Sequence, residues 1–163
     1  MATDSESNLQ LEIGHVLFID IVGYSKLLID EQRIAHVLLG LSLLKKGDTA
    51  GAIAELQKTK TPDPGAWYQG FLGYAFAISG DRAKAGQALS ELEELAKKQY
   101  VSPTAFATIY LGLGEKEKTL DWLKKGYEER DSACWYLKID QIYNGVRNEP
   151  RFQAILKEVG LDK

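Results

Sequence analysis

The chain is poor in the residues from which covalent staples and metal sites are made, with one cysteine and two histidines among 163 residues. The lone thiol, Cys134, excludes an internal disulfide, and a dedicated zinc site has too few ligands to draw on. His15 and His36 are 21 residues apart and have no acid or thiol at ligand spacing. Cys134, set between Ala133 and Trp135, reads as a small core hydrophobe rather than a nucleophile. A basic excess is also missing. Lys and Arg total 20 against 23 Asp and Glu, a formal charge of −3, which is the wrong sign for neutralising phosphates and argues against a nucleic-acid partner. Gly65, Gly70 and Gly73 follow no strand and precede no Lys-Ser/Thr, so they do not form a phosphate loop. The apolar run Val16 to Val22 is too short to span a bilayer and contains Asp20. The first fifteen residues carry Asp4, Glu6 and Glu12 without Lys or Arg, the opposite of a secretory signal. These absences point to a cytoplasmic protein with no cofactor, no nucleic-acid partner and no membrane span.

What the sequence does contain is a repeat. Leu39-Gly40 with Gly47-Asp48, Leu72-Gly73 with Gly80-Asp81, and Phe106-Ala107 with Gly114-Glu115 recur at spacings of 33 and then 34 residues. A small residue follows in the same register (Ala52, Ala85, Thr119), and four residues later a Leu (Leu56, Leu89, Leu123). Such a period predicts one helix-turn-helix unit stacked on copies of itself, because a single hairpin cannot bury its own apolar face. Gly40, Gly73 and Ala107 are expected where a partner helix comes close, with Leu43, Phe76 and Tyr110 three residues later on the same face. Thr61-Pro62-Asp63-Pro64-Gly65 and Tyr100-Val101-Ser102-Pro103 break the chain between units.

Outside the repeats the pattern differs. Residues 1–12 are expected to be disordered. The stretch from Ile13 to Gly23 is rich in β-branched and aromatic residues and reads as a buried strand. From Ser25 the spacing turns helical through Leu27, Leu28, Ile34, Val37, Leu38, Leu41 and Leu44, which predicts a first helix ending near Lys46. Glu91, Glu93 and Glu94 followed by Lys97 and Lys98 read as a solvated helix face.

On these features residues 31–130 resemble three tetratricopeptide repeats, with Gln69 at a place usually held by Trp and Trp67 two residues ahead of it. The expected fold is therefore all-α. It is a solenoid of about three hairpins, followed by a C-terminal capping segment over 131–163 and preceded by a short strand-like segment within 13–30. The resemblance implies a protein–protein interaction role rather than an enzyme, with a groove lined by the first helix of each hairpin. Matching positions are Val37, Leu41 and Leu44, then Trp67, Tyr74, Ala77 and Ile78, then Thr104, Thr108 and Leu111. This apolar and aromatic wall, in which Lys45 alone could grip a carboxylate, suits a protein or peptide partner presenting an apolar strand or an amphipathic helix. Packing of Leu41, Leu44 and Ile78 between helices is the open alternative.

Two further resemblances frame the repeats. Glu149-Pro150-Arg151-Phe152 and the residues around it are similar to the closing segment that follows such repeats in many bacterial signalling proteins, where Asp-Pro-Arg-Phe is usual. Phe152, Ile155 and Leu156 are expected to seal the end of the stack. The stretch from His15 to Leu27 resembles the opening of the class III adenylate/guanylate cyclase catalytic domain. That resemblance makes Asp20 and Ile21 vestigial metal contacts, by carboxylate and by backbone carbonyl, and implies a link to cyclic-nucleotide signalling. The rest of a cyclase domain is missing, because the chain passes directly into the first repeat, so the alternative of a cyclase or cyclase fragment is catalytically incomplete. An isolated strand carrying Val16, Phe18 and Ile21 has to be hidden. It can pair with a second copy as a homodimer, refold as helix, or lie in the groove, in cis or swapped.

Overall fold

A left-handed glycine ends the first helix of each hairpin, and the residue after it starts the second. In the computed structural model, which describes residues 29–59 and 66–161, Gly47, Gly80 and Gly114 have φ of 81°, 88° and 76°. The amides that follow double back. Asp48 N–H donates to the Leu43 carbonyl, Asp81 N–H to that of Phe76 and Glu115 N–H to that of Tyr110, each at 3.0 Å. This is the Schellman closure, which satisfies carbonyls that a helix end otherwise leaves open. The same acids cap the next helix: the Asp48 carboxylate accepts from Gly51 N–H at 2.9 Å and Asp81 from Lys84 N–H at 3.0 Å. Glu115, one methylene longer, makes no such bond.

The resulting elements are α1 (Ile29–Lys45), α2 (Thr49–Gln57), α3 (Ala66–Ile78), α4 (Arg82–Ala96), α5 (Pro103–Gly112) and α6 (Lys116–Glu128). Two 3-10 turns follow, Ser132–Tyr136 and Gln141–Gly145, and then α7 (Pro150–Val159). All regular structure among the described residues is helical, so the chain is all-α there. The expected strand over 13–23, and with it Val16, Phe18, Asp20 and Ile21, lies outside the described residues. The first helix ends at Lys45, within a residue of its expected end.

Helices α1 with α2, α3 with α4, and α5 with α6 pack as consecutive hairpins, and α3 lies along α5. Small residues set that last contact. A Cβ on Gly70 would sit 2.9 Å from the Ala105 Cα, one on Gly73 would sit 2.6 Å from Ile109 Cδ1, and one on Gly112 would sit 2.9 Å from Ala77 Cβ. The pairs 70/105, 73/109 and 77/112 advance in step, so the two helices run side by side in one direction. Within hairpins the expected small residues are buried: Ala52, Ala85 and Thr119 are 0% exposed, as are Leu56 and Leu123, with Leu89 at 9%. Gly40 lies against Leu56, whose Cγ a Cβ would meet at 2.7 Å.

The chain closes with a shorter period that the repeat reading did not anticipate. Asp131, Asp140 and Glu149 recur every nine residues, each just before a helical turn. The residues three further on (Cys134, Tyr143, Phe152) and six further on (Leu137, Val146, Ile155) are all buried. Asp131 caps Ala133 N–H at 3.0 Å, and Asp140 caps Ile142 N–H at 3.2 Å. These side chains pack on Ala107, Leu120 and Leu123, so Phe152, Ile155 and Leu156 cover the third hairpin. Lys116 holds Glu149 at 2.7 Å, and Arg151 reaches Glu117 at 2.7 Å and Asp121 at 2.5 Å. The Asp131 carboxylate, nearly buried, also accepts from Ser102 Oγ at 2.5 Å and Thr104 N–H at 3.2 Å. One acid thereby caps both its own turn and the start of α5.

Two stability measurements follow from this packing. Gly70→Ala places a methyl against the α5 backbone and should destabilise the protein by about 1–3 kcal/mol. Gly86→Ala, on α4 where an added Cβ meets nothing within 4 Å, should instead stabilise by about 0.5–1 kcal/mol, both read from denaturant midpoints. Burial, with the Asp131 carboxylate nearby, pushes the Cys134 thiol up to about 12. An unfolded thiol ionises near about 8.5, so the unfolded state loses its proton first. The thiol's contribution to stability is full below about pH 8.5 and is lost as pH rises towards 12. Burial also raises the Tyr143 hydroxyl, which acts in the same direction. Melting temperature followed from pH 7 to 11 should fall on the alkaline side, and Cys134→Ala should make that fall shallower.

Candidate functional site

A cleft of about 310 Å³ opens between α1 and α3 and is closed on its third side by the Gln141–Gly145 turn. Leu41, Leu44 and Lys45 come from α1, and Tyr74 and Ile78 from α3. Asp140, Gln141, Ile142 and Asn144 complete it. The reason for the opening can be read from the repeat. The pair that draws α3 onto α5 is Ala77 with Gly112. Moved back one unit, by 33 and 34 residues, this pair becomes Leu44 with Ile78. Two branched side chains stand where the next seam has a methyl and a hydrogen, so α1 cannot close on α3 as α3 closes on α5, and the contact between α1 and α3 is sparse.

The third wall is braced by Arg147. Its guanidinium donates to the carbonyls of Lys138 at 2.5 Å and Asp140 at 2.8 Å, and its Nε to Asn144 Oδ1 at 3.0 Å. Burial, and behind it the nearby Asp140 carboxylate, raises the ionisation of the half-buried Tyr74 hydroxyl, which therefore stays protonated and able to donate at neutral pH. The cleft thus has an apolar floor from both helices, with a cation, Lys45, on one wall and an anion, Asp140, on another.

Of the residues expected to line a groove, Leu41, Leu44, Tyr74 and Ile78 meet in this cleft, together with Lys45. The others lie elsewhere. Val37 and Ala77 are buried in the core, Ala77 against Gly112. Thr104 and Thr108 are 5% and 4% exposed: Thr104 takes its amide to Asp131, and Thr108 donates to the Thr104 carbonyl at 2.8 Å and lies 3.5 Å from the Tyr143 hydroxyl. Leu111 is half-buried against the C-terminal cluster. The Trp67 side chain lies outside the described residues. The third-hairpin part of the expected wall is thus covered by the chain's own C-terminal segment, while that segment supplies a new wall to the first two hairpins. Asp140, Gln141, Ile142, Asn144 and Arg147 were missed from sequence, and the nine-residue recurrence of acids is the signal that could have found them.

His36 does have a partner beyond local sequence spacing: its Nδ1 lies 2.7 Å from Glu55 Oε2, tying α1 to α2, and Lys58 holds the other oxygen of Glu55 at 2.6 Å. With these hydrogen bonds, Lys58's the larger, the Glu55 carboxyl is held below its ordinary range. Among the described residues no three His, Cys, Asp or Glu side chains group as a metal site, and no helix is long and apolar enough to cross a membrane. Comparison with protein-family models, with curated proteins and with solved structures gives no match.

The Arg147 brace can be tested directly. Arg147→Ala should raise amide hydrogen exchange across residues 138–145 by about tenfold or more, equivalent to roughly 1.4 kcal/mol. Protection within α3 and α4 should stay unchanged.

Proposed function

We propose that this chain is a tetratricopeptide-type repeat protein that binds an apolar segment of a protein partner in the cleft between α1 and α3. The observation that carries the reading is the uncovered apolar surface there. Ile78 at the cleft is 42% exposed, and on α1 Ile34 and Leu38 are 46% and 57% exposed beside Leu41 and Leu44. Solvated aliphatic side chains collected around a concavity are the usual mark of a binding surface, and a cleft at the small end of ligand-pocket sizes takes a few side chains rather than a domain. The 33- and 34-residue recurrence and the three consecutive hairpins support the repeat type, whose common use is helix-in-groove or strand capture. Lys45 and Asp140 would orient such a segment by its polar groups. The resemblance of residues 15–27 to a cyclase opening supports a partner within cyclic-nucleotide signalling, with this chain read as a binding module rather than as the catalyst.

A fluorescein-labelled amphipathic Leu/Lys helix is the probe. It should bind the unaltered chain, and Ile78→Asp should weaken binding tenfold or more, about 1.4 kcal/mol, with helical circular dichroism unchanged because Ile78 is 42% exposed. Binding that is indifferent to Ile78→Asp and to Leu41→Asp would sink the reading.

A further inference from the structure

The cleft continues into an uncovered strip on α1. Ile34, Leu38 and Leu41 recur at i, i+4 and i+7, and so share a face. The first two are 46% and 57% exposed, while Leu41 lines the cleft. The strip begins little more than a turn after Ile29, where the chain enters α1, and ends at Leu41 and Leu44. Just ahead of that entry the sequence carries Val16, Leu17, Phe18, Ile19, Ile21 and Val22, with Asp20 the one polar residue among them.

Resting on the groove reading above, we propose that the resident occupant of the strip and cleft is residues 16–22 of this same chain, docked in cis, so that an outside partner binds by displacing it. The reach is sufficient. Residues 23–28 extend to about 20 Å at most, whereas Ile34 lies about 8 Å along α1 from Ile29 and Leu44 about 22 Å. A seven-residue segment that starts beside Ile34 spans up to about 23 Å, enough to run past Leu38 and into the cleft. The tether also decides the competition. A segment joined by so short a linker faces the strip at an effective concentration of order millimolar, so a free peptide binds the unaltered chain with an affinity weakened by that competition. Its composition is right as well, because the strip offers aliphatic surface and the segment is almost wholly aliphatic and aromatic.

A labelled synthetic peptide of residues 13–24 tests this by fluorescence anisotropy against three forms of the full chain: unaltered, Phe18→Asp with Ile21→Asp, and that double variant with Leu38→Asp added. The peptide should bind the double variant at least tenfold more tightly than the unaltered chain, because the tethered copy no longer competes. Adding Leu38→Asp should remove the gain, and light scattering should give a monomer throughout. Equal binding to the unaltered chain and the double variant overturns the proposal and leaves the cleft open to other segments. No binding to any form also overturns it, and the cleft then stands or falls on the amphipathic probe alone. A dimer of the unaltered chain that the double variant dissolves overturns cis docking in favour of exchange between copies.

Discussion

Two helices approach backbone to backbone only where side chains step aside, and α3 and α5 do so at Gly70 and Gly112, while Gly73 makes room for the Ile109 side chain. That contact sets the register of the second and third hairpins. It buries Ala105, Ile109 and Ala77, and it places Phe106 so that Trp122 stacks on it with ring centroids 4.2 Å apart. Trp122 touches both apolar clusters, the one beneath α1 to α5 and the one beneath α5 to α7, so the close seam joins the two halves of the core. The α1–α3 seam has no such licence. Its bulkier pair, Leu44 with Ile78, keeps a gap, and the cleft is the shape of that gap.

Much of this architecture was legible in the sequence because its causes are local. A glycine followed by an acid ends one helix and starts the next, and Gly47, Gly80 and Gly114 are all left-handed. Small residues in register mark where helices meet, and Gly40, Gly73, Ala52 and Ala85 are all at such contacts or fully buried. The site was legible only in part. Helical register assigns Thr104 and Thr108 to the same face as Tyr74 and Ile78, but register along one helix cannot tell what a later segment will lay across it. Tyr143 and Asp131 cover those threonines, and both belong to turns too short to show a helical period. The nine-residue recurrence of acids marks the turn that forms the third wall, but not its brace, since Arg147 acts mainly through carbonyl oxygens and carbonyls leave no trace in a pattern of side chains.

The cleft combines two kinds of rigidity. Its α3 wall is fixed by the close seam behind it, whereas its C-terminal wall is held by the burial of Tyr143 and Val146, by the Arg147 guanidinium and by the cap that Asp140 makes to Ile142. The α1 wall is tied to α2 through His36 and Glu55 and by the fit of Leu56 beneath Gly40. The α3 face is thus backed by helix packing, and the other two by apolar burial together with side-chain hydrogen bonds.

The nine-residue closure also governs how copies of the chain can meet. A hairpin whose outer face is open invites the next one, and a stack with two open ends propagates into a filament. Here the outer face of the last hairpin is filled by Phe152, Ile155 and Leu156 and latched by Arg151 to Glu117 and Asp121. The outer face of the third hairpin is therefore not free to take a further hairpin. A two-fold contact between copies at the α1 end would be self-complementary and would close at two.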